Sequence, residues 1–388
     1  MTDSAACAVC GSEDSRVFFE QPAVPVQDGV LWPTPEAARS SPVGDIRLAF
    51  CGACGFIGNR AYDPTNVRFQ PGYDISLHHS PRYRGFIDAL AADLVARHGL
   101  TEKDVLEIAC GNGDFLARVC ALGRNRGVGF DPSLTPETIA RGAREGVTLR
   151  AESLPQAGVG GADLVCCRHV LQSMPAPRDF LRAARRAVPA RPGAVYYFEV
   201  PDASGIFRDL AVWTIIYETC SYFTPPSLAR LFELEGFRVL RTASLLEGEY
   251  LGLEASPEGG PPSTKPAESV AELAAHVADF ERRFEAVRAR WTDELSRLRG
   301  RRVAAWGAGG RAIAFFNLFA DVADVPCVVD INPKRQGLYL PRTAQRVVPP
   351  EFLREYRPEV VLVTNPTFER EIRESVRGLG LAAELETL

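Results

Sequence analysis

The sequence has no run of 18 apolar residues, and its first 30 residues contain no apolar signal core. A membrane-spanning helix needs about 20 apolar residues, so we expect a soluble, cytoplasmic protein without a membrane partner. Lysine is scarce and occurs only at Lys103, Lys265 and Lys334. No basic run is present and the formal net charge is −5, which argues against a general nucleic-acid binder. A monomer or homodimer that binds a small molecule is expected.

The ten cysteines lack a secretory context, which favours metal ligands and buried thiols over disulfides. Two Cys-x-x-Cys-Gly segments carry Cys7, Cys10, Cys51 and Cys54. Each predicts a knuckle whose backbone N–H groups point at the thiolate sulfurs. Four such thiolates form a closed structural zinc site with no open position for catalysis; the alternative is four unrelated cysteines. A module of this size needs such a staple to fold.

An apolar run at 105–109 carries one acid, Glu107, and is followed by Gly111, Gly113 and an amphipathic helix. This predicts a strand, a tight turn and a helix, with glycines that let a ligand approach the backbone. About 20 residues later Asp131 ends a second strand, where a carboxylate can accept both ribose hydroxyls. The alternative is an ordinary strand–turn–helix without a ligand.

The pattern Glu-x-Ala-Cys-Gly-x-Gly lacks the third glycine of a dinucleotide loop. It suits a nucleoside with a charged amino-acid tail, and it resembles the S-adenosylmethionine loop of class I methyltransferases. The predicted cofactor-binding residues are Glu107, Ala109, Gly111, Gly113, Phe115, Asp131, Pro132, Glu152, Ser153 and Arg168.

Strands and helices alternate along the middle of the chain, which predicts an α/β fold of the Rossmann-like kind. The predicted strands are 104–109, 126–131, 147–150, 162–167, 194–200, 237–244 and 248–254, and the predicted helices are 113–122, 135–145, 177–188 and 225–235. A Pro-, Gly- and Ser-rich linker at 256–266 precedes one long helix at 268–298. A second, smaller α/β unit starts at residue 300 with a Gly307-Ala308-Gly309-Gly310 turn; its loop either cradles a phosphate or nucleotide or is a remnant of the fold.

The predicted domains are therefore a zinc-binding module (1–70), a methyltransferase domain (71–255), a linker with a long helix (256–299) and a C-terminal Rossmann-like domain (300–388). In this order they resemble the three-domain, zinc-containing C-methyltransferases of antibiotic deoxysugar pathways. The segments that carry the resemblance are the two knuckles, 80–83, 105–116, 127–133, 221–224, 306–311 and 330–337. The resemblance implies C-methylation of a nucleotide-linked 4-keto sugar held between the middle and C-terminal domains. A base removes the proton beside the ketone, and the enolate attacks the methyl group of the sulfonium.

The sequence departs from that family in its catalytic loop. The family's His-Glu-His triplet is Tyr217-Glu218-Thr219 here, and a histidine that follows its fourth strand is Ser173. Because these imidazoles are absent, the proton acceptor has to be another residue. Glu218, in an apolar setting, is the first candidate base, and His169, at the end of the fourth strand, is a second candidate for base or acceptor contact. Tyr217 and Tyr222 are candidates for bonding the acceptor, although an aromatic run is more often packing.

The sequence thus predicts a methyltransferase that uses S-adenosylmethionine on a small molecule from a bacterial natural-product pathway. The acceptor is expected to be a sugar nucleotide or a related metabolite, methylated on carbon. One alternative is O- or N-methylation, since a heteroatom nucleophile needs less help than an enolate. Another is a protein that binds the cofactor without transferring its methyl group.

Overall fold

The computed structural model describes residues 6–27, 29–67, 77–261 and 269–388. The start of the predicted methyltransferase domain, at residue 71, and part of the predicted linker at 256–266 lie outside these residues. The N-terminal module is a small antiparallel sheet with one short helix. Its elements are β1 (Ser15–Pro25), α1 (Pro35–Arg39), β2 (Val43–Cys51) and β3 (Ile57–Asn59).

The middle unit carries alternating strands and helices. Its elements are α2 (Pro81–Arg97), β4 (Asp104–Ile108), α3 (Asp114–Gly123), β5 (Arg126–Phe130), α4 (Pro136–Arg144), β6 (Val147–Arg150), β7 (Ala162–Arg168), α5 (Pro177–Ala187), β8 (Ala190–Pro201), α6 (Ser204–Arg208), β9 (Ser221–Tyr222), α7 (Pro225–Leu234), β10 (Arg238–Leu245) and β11 (Tyr250–Ser256). The seven predicted strands and four predicted helices are all present, with ends shifted by a few residues at most.

These strands form a seven-stranded sheet in the order β10-β11-β8-β7-β4-β5-β6. The five strands from β8 to β6 are parallel, and β11 is antiparallel to both of its neighbours. When the seven strands are numbered in chain order from β4, the sheet reads 3-2-1-4-5-7-6 from β6 to β10, which is the order of class I methyltransferases. The order reverses between β4 and β7, and ligands bind beside the carboxyl ends of strands at such a point.

The C-terminal unit is a five-stranded parallel sheet in the order β14-β13-β12-β15-β16. Its elements are α8 (Val270–Ala278), α9 (Phe280–Arg297), β12 (Val303–Trp306), α10 (Gly310–Leu318), β13 (Cys327–Val329), β14 (Arg346–Val348), α11 (Leu353–Tyr356), β15 (Val360–Val363), α12 (Glu369–Gly378) and β16 (Glu384–Thr387). The prediction of one long helix over 268–298 was wrong. Asp279 has φ −110° and ψ 6° and separates α8 from α9.

An aromatic core joins the three parts. Phe19 of β1 packs edge-on against Phe284 of α9, with ring centroids 4.8 Å apart. Further along α9, Trp291 packs against Phe315 of α10 at 5.1 Å. Edge-to-face pairs of this kind stabilise the packing beyond the burial of the rings. Helix α9 therefore connects the N-terminal module to the C-terminal unit through aromatic contacts.

Candidate active site and cysteine cluster

The glycine loop after β4 is built from left-handed backbone. Gly111 has φ 53° and Gly113 has φ 78°, which glycine adopts at little cost. The two glycines serve different purposes. A Cβ at Gly113 would lie 2.9 Å from the Leu149 side chain, whereas a Cβ at Gly111 would meet nothing within 4 Å. Gly113 is therefore required by packing, and Gly111 borders open space.

Asp131, directly after β5, is bonded to that loop. Its Oδ2 accepts a hydrogen bond from the Gly111 backbone N–H at 2.9 Å. Its Oδ1 accepts from the Ser133 N–H at 2.8 Å and from the Ser133 hydroxyl at 2.6 Å. A carboxylate offers about four acceptor positions, so the predicted ribose acceptor also holds the loop in shape.

Glu107 on β4 is a buried acid, 3% exposed. Its Oε2 has no hydrogen-bond partner among the residues that the structure describes. Burial raises the pKa of Glu107 to about 8, against the opposing effect of the Arg168 cation. A buried carboxyl oxygen without a donor is costly in the free protein, and a ligand with a cationic or N–H group would satisfy it.

The other predicted cofactor residues lie around the same edge of the sheet. Phe115, in the first turn of α3, is buried beneath the Arg168 guanidinium, which lies 4.4 Å from the ring centroid. Ala109 turns the chain with φ 52°. Pro132 is exposed beside Asp131, and Glu152 and Ser153 are exposed just after the edge strand β6. The Arg150 carbonyl at the end of β6 accepts from the Asp131 N–H at 3.0 Å, which brings these loops together.

His169 follows β7 directly, with a left-handed φ of 57°. Its ring contacts Tyr250 edge-on, with centroids 4.5 Å apart. Its Nε2 lies 2.9 Å from Glu199 Oε1, an ion-pair distance, although the angle departs from that of a hydrogen bond. The His169 side chain is 23% exposed, while that of Glu199 is fully buried.

The hydroxyl groups of the two candidate tyrosines are used within the protein. Tyr217 Oη accepts from the Asp63 N–H at 2.9 Å and from Asn66 Nδ2 at 3.2 Å. Tyr222 Oη donates to the Ile216 carbonyl at 2.9 Å and accepts from the Ile216 N–H at 3.2 Å. Tyr217 thus fastens its loop to the N-terminal module, and Tyr222 closes the loop on itself.

Glu218 is 6% exposed, and its Oε1 accepts from the Gly29 N–H at 3.3 Å. The loop continues into β9, which pairs with β3 and so adds a strand to the N-terminal sheet. The same loop also contacts the segment that follows His169, because the Cys220 N–H donates to the Gln172 carbonyl at 2.9 Å. The candidate catalytic residues therefore lie on two adjoining loops, of which one is built on the N-terminal module.

The four predicted metal ligands form one cluster. The Sγ atoms of Cys7, Cys10, Cys51 and Cys54 all lie within 4.8 Å of one another, with 3.7 Å between Cys7 and Cys54 and 3.6 Å between Cys10 and Cys51. Four Zn–S bonds of about 2.3 Å give S···S separations of about 3.8 Å. Each knuckle closes through a glycine N–H bonded to the first cysteine's carbonyl at 2.9 Å. The donor set and its spacing fit zinc.

The C-terminal unit repeats the arrangement of loop and acid. Asp330, after β13, accepts from the Ala308 N–H at 3.0 Å and from the Asn332 N–H at 2.8 Å. A cavity of about 100 Å³ lies here and also reaches Ser80 and His79 from the start of α2. Asn332 lines it, is 3% exposed, and has an Nδ2 that lacks a partner within the described ranges.

Comparison with known proteins agrees with this architecture. Residues 82–242 match the family described as "Methyltransferase domain", and residues 265–380 match "C-methyltransferase C-terminal domain". Each match covers less than half of the chain. Together with the strand order, the first match confirms the predicted class I fold and identifies residues 82–242 as a methyltransferase domain.

Curated relatives resemble less than half of the chain. The ubiquinone biosynthesis O-methyltransferase of Cupriavidus pinatubonensis is 28% identical over 187 residues, which are 44% of this chain and 69% of the relative. The enzymes of the same name from Hahella chejuensis and Sodalis glossinidius are 29% and 33% identical, and the matches span 63% and 42% of their lengths. These matches cover 41% and 26% of this chain.

Solved structures resemble a similar share. The 1,6-didemethyltoxoflavin-N1-methyltransferase of Burkholderia thailandensis is 20% identical, with a TM-score of 0.35 over 44% of this chain and 77% of that one. A SAM-dependent methyltransferase from Aquifex aeolicus is 17% identical, with a TM-score of 0.36 over 50% and 98%. No helix in the part of the chain that the structure describes is long and apolar enough to cross a membrane.

Proposed function

We propose that the chain transfers a methyl group from S-adenosylmethionine to a small molecule held beside the glycine loop. The observation that carries this proposal is the set formed by Glu107, Gly111 and Asp131. It combines a buried carboxyl oxygen without a donor, open space in front of a left-handed glycine, and an acid at the end of the neighbouring strand. When bound, the cofactor supplies an electrophilic methyl on a sulfonium.

Each member of the set suits one part of that cofactor. Asp131 would hold the ribose hydroxyls with its remaining acceptor capacity. The space at Gly111 would take the methionine tail, and Glu107 would face its ammonium group. Calorimetry with S-adenosylhomocysteine tests this: we expect binding near micromolar strength, and no detectable binding would overturn the proposal.

For the acceptor we propose a nucleotide-linked sugar or a related natural-product intermediate, methylated on carbon. Its support is the cavity at the C-terminal glycine loop, where Asn332 Nδ2 lacks a partner among the described residues and where Ser80 and His79 of the middle unit also contribute. Ser80 Oγ donates to Glu371 at 2.7 Å, so this cavity lies where the two units meet. Saturation-transfer NMR with thymidine and uridine diphosphates tests it, and Asn332→Ala should lose the signal. Asn317→Ala is the control, because Asn317 lies on α10 outside this cavity and its Nδ2 donates to the Ile313 and Pro341 carbonyls.

The proton acceptor for carbon methylation is proposed to be His169 rather than Glu218. The His169 side chain is 23% exposed, and its Nε2 lies 2.9 Å from Glu199 Oε1. Glu218 is more deeply buried and bonds the N-terminal module through Gly29. A basic group that must reach a substrate has to be accessible to it, so Glu218 is proposed to hold the loop or a substrate hydroxyl.

O-methylation is a second candidate function. The curated relatives are named O-methyltransferases, and two histidines of the resembling sugar enzymes are replaced here by Tyr217 and Thr219. Identification of the methylated atom by NMR of the product separates the two functions. We further propose that the four-cysteine cluster binds one structural zinc ion, which stabilises the sheet to which β9 belongs.

A further inference from the structure

Glu199, near the carboxyl end of β8, is a fully buried acid surrounded by donors. Arg168 Nη2 donates to its Oε1 at 2.8 Å, and Tyr197 Oη donates to its Oε2 at 2.6 Å. Burial alone would raise the pKa of Glu199, but the adjacent Arg168 and His169 hold it well below its usual range. The side chain is therefore a fixed anion beside the candidate site.

His169 is held against this anion by its backbone as well as by its ring. Its N–H donates to the Glu199 carbonyl at 2.8 Å, and its left-handed φ of 57° costs free energy that a non-glycine residue normally avoids. Tyr250 packs against the ring at 4.5 Å. Its Nε2 is buried and lies 2.9 Å from Glu199 Oε1, at ion-pair distance but without hydrogen-bond angles.

We propose that Glu199 is the positioning residue for His169: its carboxylate holds the imidazole with Nε2 protonated and Nδ1 unprotonated and directed at the acceptor. The neutral imidazole then takes the acceptor's proton on Nδ1, and the resulting imidazolium is stabilised by the Glu199 anion. This inference rests on the proposed function, since it assumes a proton acceptor. The alternative is that Glu199 only forms a structural ion pair with Arg168 and has no part in the reaction.

Other titratable groups also lie near Glu199 and His169, and they are unchanged between the wild-type protein and Glu199→Gln. They are Arg168 on β7, Tyr83 on α2, Tyr197 on β8, Glu249 and Tyr250. Arg168 Nη2 lies 2.8 Å from Glu199 Oε1, and His169 Nε2 lies 2.9 Å from the same oxygen.

The chain offers a matched control in Glu254 on β11. Glu254 is 4% exposed, and its Oε2 lies 2.8 Å from His98 Nε2, while Arg97 also pairs with it. This is the same combination of buried glutamate, histidine and arginine, placed against the end of α2 rather than beside the glycine loop. Glu254→Gln therefore reports the cost of losing such a pair without a catalytic role.

Histidine NMR tests the proposal without any substrate, because the chain has only five histidines. In protein labelled with ¹⁵N-histidine, we expect His169, identified by the His169→Gln variant, to show a protonated Nε2 and an unprotonated Nδ1. In Glu199→Gln this tautomer preference should be weakened, since the carboxylate beside Nε2 is gone. The reverse tautomer in the wild-type protein, or an unchanged tautomer preference in Glu199→Gln, would overturn the proposal.

Kinetics with a 4-keto sugar nucleotide provide the second readout. We expect kcat of Glu199→Gln to fall by at least about tenfold, with KM and the affinity for S-adenosylhomocysteine within about twofold, and Glu254→Gln to match the wild type. The double variant Glu199→Gln/His169→Gln should lose no more activity than His169→Gln alone, because the two residues act as a unit. Additive losses would contradict a positioning role.

If Glu199→Gln does not fold, the tautomer of His169 in the wild-type protein still tests the proposal. Failure of the wild type to bind S-adenosylhomocysteine would instead reject the proposed function and leave the tautomer result intact.

Discussion

The Asp131 carboxylate accepts a hydrogen bond from the Gly111 backbone N–H at 2.9 Å. This bond ties the end of β5 to the glycine loop that follows β4. The C-terminal unit contains the same relationship, in which Asp330 accepts from the Ala308 N–H at 3.0 Å. In both α/β units, an acid after the second strand thus bonds a backbone N–H of the loop after the first strand. A substitution of the acid in one unit can therefore serve as the control for the same substitution in the other.

The first prediction uses this pairing. Asp131→Ala removes the acceptor for two ribose hydroxyls and releases Gly111, and it should weaken S-adenosylhomocysteine binding by about 2–4 kcal/mol, because charge-assisted bonds are the strong ones. Asp330→Ala releases the other loop and should leave this affinity within about twofold of the wild type. Calorimetry measures both. Equal affinities in Asp131→Ala and the wild type would reject the assignment of the second strand.

The second prediction concerns the open space at Gly111. Gly111→Val should abolish S-adenosylhomocysteine binding, because the new side chain enters space that the methionine tail needs. Gly99 is the control: it has φ 58° against 53° for Gly111, and a Cβ there also meets nothing within 4 Å. Gly99→Val carries similar backbone strain, of about 1–2 kcal/mol. Comparable loss of cofactor affinity in both variants would show that strain, not occupied space, is responsible.

Much of the fold is predictable from local pattern. The apolar strands, the glycine turns and the two cysteine knuckles each depend on a few neighbouring residues, and the corresponding elements are present in the structure. The helix break at Asp279 was missed because the apolar positions on either side keep a helical spacing. An acid inside that run gave no strong stop signal.

The candidate site was less accessible to sequence reasoning. Glu199 lies within an apolar strand, and neither its exposure nor its partners on β7 can be inferred from spacing. Its proximity to His169 arises from the parallel register that places Arg168 beside Glu199. The pairing of β9 with β3 is also a long-range contact, so nothing local to Ser221 and Tyr222 indicated that the candidate catalytic loop is built on the N-terminal sheet.

The third prediction concerns the metal. Freshly purified protein should contain one zinc per chain, and Cys51→Ser should lower both the zinc content and the thermal midpoint of unfolding, because the metal contributes folding free energy. Cys327→Ser, at a cysteine equally buried but outside the cluster, should keep its zinc. Metal analysis and thermal unfolding measure these effects. Less than about half a zinc per chain in the wild-type protein would count against a closed structural site.

The fourth prediction follows from Glu107. Burial raises its pKa from 4.5 to about 8 in the folded protein. Between these two pH values Glu107 is therefore protonated in the folded state and ionised in the unfolded state. The contribution of this group to stability is therefore complete below about pH 4.5 and declines as the pH rises to about 8. Glu107→Gln cannot ionise and should not show this decline.

Urea unfolding of both proteins between pH 6 and pH 8.5 tests this. The difference in unfolding free energy, variant minus wild type, should increase with pH across that range. A pH-independent difference for Glu107→Gln would mean that Glu107 is already ionised in the folded protein.

The last prediction separates the two candidate bases. With a 4-keto sugar nucleotide in heavy water, a base that forms the enolate exchanges the α-proton for deuterium even when no methyl transfer follows. His169→Gln should slow this exchange by about 10²–10⁴-fold, the usual contribution of general base catalysis, with unchanged affinity for S-adenosylhomocysteine. Glu218→Gln should slow it by about tenfold or less, since the bond to Gly29 places Glu218 in a supporting position. The opposite ranking would make Glu218 the base. Absence of exchange in the wild type, together with methyl transfer to oxygen or nitrogen, would overturn carbon methylation and leave the fold in place.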